Sequence, residues 1–124
     1  MKNLILFLAI VSAIAVQGCK KSSSPANTTV YTGVVIVSIC GSIAVQTLGP
    51  AYLGETNWVN GNNPDKPVLN HVFRVQNSCQ FLSSGVRGTF NFRVIPAVQT
   101  VQNCVLCNAI GAVPQTAYSI EVIK

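Results

Sequence analysis

The chain from Val30 onward is predicted to be all-β, a small five-stranded Greek-key barrel of the OB kind, with a β-sandwich as the alternative. Three observations predict it: long β-branched apolar runs, one segment of strict apolar and polar alternation, and no stretch after Cys19 with a persuasive helical period. At 124 residues the chain has room for one domain.

The first element is "VYTGVVIVSICGSIAVQTLGP", where Cys40, Gly41 and Ser42 break a β-branched run and predict a turn between two strands. Both parities of the first strand are apolar, with Val35, Val37 and Ile39 on one side and Val34 and Ile36 on the other. A strand covered on both faces fits a barrel or sandwich better than an open sheet. "NWVNGNNPDKP" is dense in turn formers and reads as an exposed loop. A short strand around Val72 to Val75 comes next, and "CQFLSSGV" holds at most a short turn of helix. In "GVRGTFNFRVI", Val86, Gly88, Phe90, Phe92 and Val94 point one way and Arg87, Thr89, Asn91 and Arg93 the other. That pattern is a half-buried strand with a phenylalanine pair in the core. The last strand, "AYSIEVIK", turns Tyr118, Ile120 and Val122 inward and Ser119 and Glu121 outward.

The first residues stand apart from this domain. Leu4 to Val16 carries no charge over thirteen residues and comes after Lys2. It falls short of the roughly 20 residues that cross a bilayer as a helix and fits the charged start and apolar centre of a secretory signal. The formal net charge of +5 includes Lys2 together with Lys20 and Lys21, which flank the end of this segment. Without them Lys66, Arg74, Arg87, Arg93 and Lys124 stand against Glu55, Asp65 and Glu121, a net charge of +2. So mild an excess is no nucleic-acid footprint, and so few charges leave little material for acid and base catalysis.

The segment ends in "VQGC", an aliphatic residue three before a cysteine and a glycine immediately before it. This resembles the lipobox of bacterial lipoproteins, with Gln17 where many carry Ala or Ser. The resemblance implies acylation of the Cys19 thiol, cleavage before it, and a membrane held as partner through the fatty-acid anchor. Two or three acyl chains anchor stably where one binds marginally. Residues 1–18 are then the signal peptide, 19–29 a lipidated flexible tether rich in Ser, Asn and Thr, and 30–124 the β-barrel domain. Lys20 is not the aspartate associated with inner-membrane retention, so the expected location is the outer membrane of the cell envelope. No acidic cluster comes after it, which leaves the facing side open.

The mature chain also resembles small β-rich lipoproteins of Bacteroidota-type bacteria. The carriers are Cys40 with Gly41, "NSCQF", "GTFNF", "NCVLC" and the terminal "YSIEVIK". The resemblance covers most of the mature chain and implies no activity.

With Cys19 assigned to lipid, Cys40, Cys79, Cys104 and Cys107 remain, an even number in an exported protein. Two structural disulfides are expected, since an oxidising compartment permits them and a small domain gains from them. Cys40 and Cys79 are expected each to reach one cysteine of "NCVLC"; Cys40 to Cys79 with Cys104 to Cys107 closed locally stays open as the alternative. A redox CxxC enzyme lowers its thiol pKa at a helix N-terminus, whereas "NAIGAVPQ" stands after the motif here, with Gly and Pro and no helical pattern. Tetrathiolate zinc draws on two paired knuckles, and Cys40 and Cys79 are singletons. Asn108 stands where CxxCH haem attachment needs histidine. No cofactor or metal is expected.

His71 is the only histidine and shares parity with Phe73 and Val75, which places it at the edge of the core. Neither GxSxG, a phosphate loop nor a paired-carboxylate constellation is present, so no catalytic residue is assigned and the protein is expected not to be an enzyme. Arg74, Arg87 and Arg93 share an outward face if their strands are neighbours, and three arginines suit an anionic glycan or lipid head group. Trp58, beside the Asn-rich loop, and Tyr52 are the candidate ligand contacts, because aromatic rings stack on sugars and amides bond hydroxyls. The expected function is a binding or envelope-structural module, with a glycan or an envelope protein as partner and no nucleic acid. The alternative is an extracytoplasmic thiol-disulfide protein that uses Cys104 and Cys107.

Overall fold

A two-residue turn joins the first pair of strands, β1 (Tyr31–Ile39) and β2 (Ser42–Leu48). Cys40 and Gly41 have φ of 50° and 81°, the pattern of a type I′ turn, whose twist matches that of the strands it connects. The computed structural model describes residues 28–61, 65–97, 104–105 and 113–124. Residues 1–18, Cys19, the tether up to residue 27, and Cys107 therefore lie outside the described residues.

Three further strands and one short helix complete the domain: β3 (Val72–Val75), α1 (Ser78–Ser83), β4 (Thr89–Ile95) and β5 (Ala117–Ile123). The strands close into a barrel in the order β1-β2-β3-β5-β4. Every contact is antiparallel except β3 with β5, which is parallel. That order, with the helix between β3 and β4, is the Greek-key barrel of the OB kind expected from the sequence.

The barrel interior is filled by Tyr31, Ile43, Val45, Phe73, Val75, Phe81, Phe90, Phe92 and Ile120. Phe92 is the hub. Its ring centroid lies 5.5 Å from Tyr31, 5.6 Å from Phe73 and 5.5 Å from Phe90, distances at which aromatic pairs add to the energy of burial. The alternation read in β4 holds, with Phe90 and Phe92 buried and Thr89, Asn91 and Arg93 exposed. In β5, Tyr118, Ile120 and Val122 pack on the interior as expected. Ser119, expected outward, is 2% exposed. Its hydroxyl lies 3.5 Å from Gln76 Oε1, beside the β3–β5 contact.

The parity expected for β1 breaks at its centre. Val35 pairs with Val45, but Val37 pairs with Ala44, so one extra residue sits between them as a bulge. Val35 packs on the barrel interior, whereas Val37 joins a second core on the outside of the sheet with Ala44, Trp58 and Val72. The roof of this second core is the β2–β3 connection. Glu55 pairs with Val72 and Trp58 with Leu69, the latter through two N–H···O bonds of 2.8 Å, so the connection folds back as a rudimentary hairpin. The stretch "NWVNGNNPDKP" is thus not exposed throughout: Trp58 and Asn60 are buried, and only their neighbours among the described residues turn to solvent. The turn formers reverse the chain, and the aromatic residue gains by burial.

The parallel β3–β5 contact is short, with Arg74 opposite Ala117 and Val75 opposite Tyr118. Asn77 lengthens it. The Asn77 side chain accepts from Ile120 N–H at 2.9 Å and donates to the Ile120 carbonyl at 2.8 Å, as a strand backbone would. The Asn77 Nδ2 also donates to Gln80 Oε1 at 3.0 Å. Since Asn77 and Ile120 are 3% and 2% exposed, water cannot replace these bonds.

Asn77→Ala is therefore expected to lower the unfolding free energy by about 2–4 kcal/mol in urea titrations, because it leaves two buried backbone groups unpaired. Asn91→Ala, on the exposed face of β4, is expected to stay within about 0.5 kcal/mol. Equal effects of the two substitutions would rule out the seam role of Asn77.

Candidate functional site

The residues singled out in the sequence do not converge on one site. Trp58 is 8% exposed and belongs to the second core, where it packs with Val37, Ala44 and Val72. Its ring is used in folding, so the expectation of a ligand contact at Trp58 is corrected. Tyr52 behaves differently. It is 55% exposed and stacks on His71 with centroids 4.1 Å apart and an interplanar angle of 18°. His71 has a φ of 62°, and its carbonyl accepts from Thr47 N–H at 2.8 Å. The edge position expected for His71 holds, but the ring rests on Tyr52 rather than taking the inward parity of Phe73 and Val75. Tyr52 and Trp58 accordingly do not form one aromatic contact surface.

The arginines do not sit on neighbouring strands. β5 stands between β3, which carries Arg74, and β4, which carries Arg93. Arg93 is paired with Glu121 through Nε at 3.2 Å, an exposed ion pair of the kind that contributes about 0–1 kcal/mol. Arg87 lies apart from both, in the connection between α1 and β4, on the edge of a cleft of about 400 Å³. The condition attached to the arginine expectation, neighbouring strands, is not met, because the Greek-key connection inserts β5 between them.

Cys79 in α1 is bonded to Cys104, with a Cα–Cα distance of 5.4 Å and a sequence separation of 25 residues. This agrees with the expectation that Cys79 reaches one cysteine of "NCVLC". The alternative, Cys40 to Cys79 with Cys104 to Cys107 closed locally, is corrected, since α1 carries Cys79 toward the segment before β5 rather than toward the β1–β2 turn. Cys40 is also disulfide-bonded, and its partner is not among the described residues. By the loop-entropy relation, the Cys79–Cys104 bridge stabilises by about 3.5 kcal/mol.

Among the described residues no group of three or more His, Cys, Asp or Glu side chains is placed to hold a metal ion. Glu55 accepts from Gln115 N–H at 3.3 Å, and Glu121 faces Arg93. The structural features that the sequence did not single out are Asn77 and the cleft at Arg87. Asn77 gives only the signal of a helix cap in "QNSCQ", and yet it makes no side-chain cap bond. In "SSGVRG" the closely spaced glycines Gly85 and Gly88 signal a change of chain direction but not a cavity. Comparison with known proteins gives no match, whether to a family, to a curated protein or to a solved structure.

The placement of Trp58, the single tryptophan, is directly measurable. Its emission is expected to be blue-shifted and poorly quenched by iodide in the folded protein, and to move red on unfolding. Trp58→Ala is expected to cost about 3–5 kcal/mol in stability. Full iodide quenching with unchanged stability in the variant would return Trp58 to the surface.

Proposed function

We propose that the protein is a non-enzymatic lipoprotein of the cell envelope, anchored to the outer membrane through acyl chains on Cys19 and presenting the barrel as a binding or structural module. The observation that carries this reading is the arrangement of cysteines. Five cysteines cannot all pair within one chain, and the residue left over in this reading is the one that ends the "VQGC" signal. Cys79 and Cys104 are bonded, Cys40 is bonded, and the proposal assigns Cys107 to Cys40 so that Cys19 stays free for lipid. Disulfides of this kind persist in oxidising compartments, which supports export. Tyr52, exposed on the stack with His71, is the contact the proposal keeps for a glycan. The pairing of Cys104 with Cys79 speaks against a thiol-disulfide exchanger built on Cys104 and Cys107, because a member of that motif is committed elsewhere.

Two measurements test this. Cys19→Ser is expected to abolish metabolic labelling with palmitate and to release the protein from the membrane fraction; labelling that persists overturns the anchor. Disulfide mapping by mass spectrometry without reductant is expected to recover Cys79–Cys104 and Cys40–Cys107 peptides and no free thiol in the folded domain. A Cys19–Cys40 peptide, or a Cys104–Cys107 bridge that opens under mild reductant, overturns the assignment.

A further inference from the structure

β1 and β4 pair only from Tyr31 with Phe92 to Val34 with Thr89. One more bond, Val35 N–H to the Gly88 carbonyl at 3.3 Å, ends the contact, while β1 continues along β2 to Ile39. β4 begins at that point, and beyond it the cleft of about 400 Å³ opens between β1, α1 and the α1–β4 connection, within the roughly 300–1,000 Å³ of small-molecule sites. Its apolar wall is Val35 from β1, Phe81 and Leu82 from α1, and Val86 from the connection to β4. Phe81 is 4% exposed and packs against Phe90 with ring centroids 5.2 Å apart, so this wall is anchored in the main core; Leu82, 44% exposed, forms the rim. Gly88, at a φ of 80°, has nothing within 4 Å of where a side chain would start, so it directs the chain away from β1 without filling the gap.

Two side chains bring polarity to the cleft. Ser38 and Arg87 line it, and Arg87 is its single charged side chain. Among the described residues Arg87 makes no ion pair, in contrast to Arg93. Glu55 is held at Gln115, Glu121 at Arg93, and Asp65 lies in the β2–β3 connection, so none of the acids lines the cleft. An apolar wall beside an unneutralised guanidinium suits a ligand with an apolar body and an anionic end, since Arg binds carboxylates with charge-assisted hydrogen bonds and the wall excludes water from the tail.

We propose that the cleft between β1, α1 and the α1–β4 connection binds a small amphipathic carboxylate, with a short acyl chain against Val35, Phe81, Leu82 and Val86 and its carboxylate on Arg87. The proposal names the ligand class for the binding module proposed above and rests on that reading, but not on the lipid anchor. Both cores lie within the strands and their connections from Tyr31 to Ile123, so the test uses the mature chain from residue 19 with Cys19→Ser, and its result is independent of acylation.

Octanoate is titrated into the 15N-labelled protein, with octanamide as the uncharged counterpart. Saturable shifts are expected at Ser38, Leu82, Val86 and Gly88 at millimolar octanoate or below, with affinity for octanamide about tenfold weaker, the loss expected for one charge-assisted hydrogen bond. Arg87→Gln is expected to weaken octanoate by the same factor and leave octanamide unchanged, while Lys66→Gln leaves both unchanged. Equal affinity for the two ligands, or an Arg87→Gln variant that binds octanoate as the parent does, overturns the role of Arg87. Shifts confined to Tyr52 and His71, or no saturable shift at all, overturn the site.

Discussion

The single extra residue between Val35 and Val37 governs the arrangement of this barrel. Up to Val35, β1 contributes to the interior and pairs with β4; from Val37 it contributes to an outer core and pairs with β2 alone. A bulge reverses the side-chain parity of the residues beyond it and adds bend and twist to the strand. The reversal lets one strand serve two apolar clusters on opposite faces of the sheet. The cleft lies just beyond the end of the β1–β4 pairing, between β1, α1 and the α1–β4 connection. A regular strand at this position would have placed Val37 inside with Val35 and removed it from the cluster with Ala44, Trp58 and Val72.

The opposite side of the barrel depends on different physics. β3 and β5 run parallel and touch over only two residue pairs, and the chain between the end of β4 and the start of β5 is long. Closing that seam brings together segments far apart in sequence, at a cost in loop entropy that short-range contacts cannot offset. Two devices act at this point. Asn77 supplies an amide in place of a strand backbone at Ile120, and Cys79, two residues further on, is bonded to Cys104 in the segment before β5. The bonded amide acts on the native state, whereas the disulfide acts mainly by restricting the unfolded chain. The closed barrel thus has its weakest ladder reinforced from α1.

Legibility in the sequence divides along the same lines. β4 was readable because one of its faces is polar, so alternation reports direction, as Phe90 and Phe92 against Asn91 and Arg93 show; β5 followed the same pattern except at Ser119, which is buried beside Gln76. The turn at Cys40 and Gly41 was readable from the break in a β-branched run. The bulge in β1 was not, because "VVIV" is apolar at every position, and a parity flip inside a uniformly apolar run leaves no mark on the pattern. Trp58 was misplaced for a related reason: turn formers on both sides of it describe the path of the chain but not which face a ring takes. The scattering of Arg74, Arg87 and Arg93 is a matter of strand order. Local sequence does not say that β5 lies between β3 and β4. The Cys79–Cys104 bond chose among pairings that spacing alone left open.

The position of the outer core also narrows where this barrel can take a ligand. Barrels of the OB kind commonly bind on the outer face of their second and third strands. Here Ala44 of β2 and Val72 of β3, outward residues on those strands, are covered by Trp58 and Leu69 from the connection between them. Displacing that cover would expose a buried indole and break the paired bonds between Trp58 and Leu69, a cost of several kcal/mol before any contact with a ligand is made. A ligand of modest size cannot recover that. Surface that needs no such rearrangement remains at the Tyr52–His71 stack and at the cleft between β1, α1 and the α1–β4 connection, and of these only the cleft combines an apolar wall fixed by Phe81 with a charge that no neighbouring acid neutralises. The cover that Trp58 and Leu69 place over Ala44 and Val72 therefore leaves the cleft beside Arg87 as the surface on which the proposed binding rests.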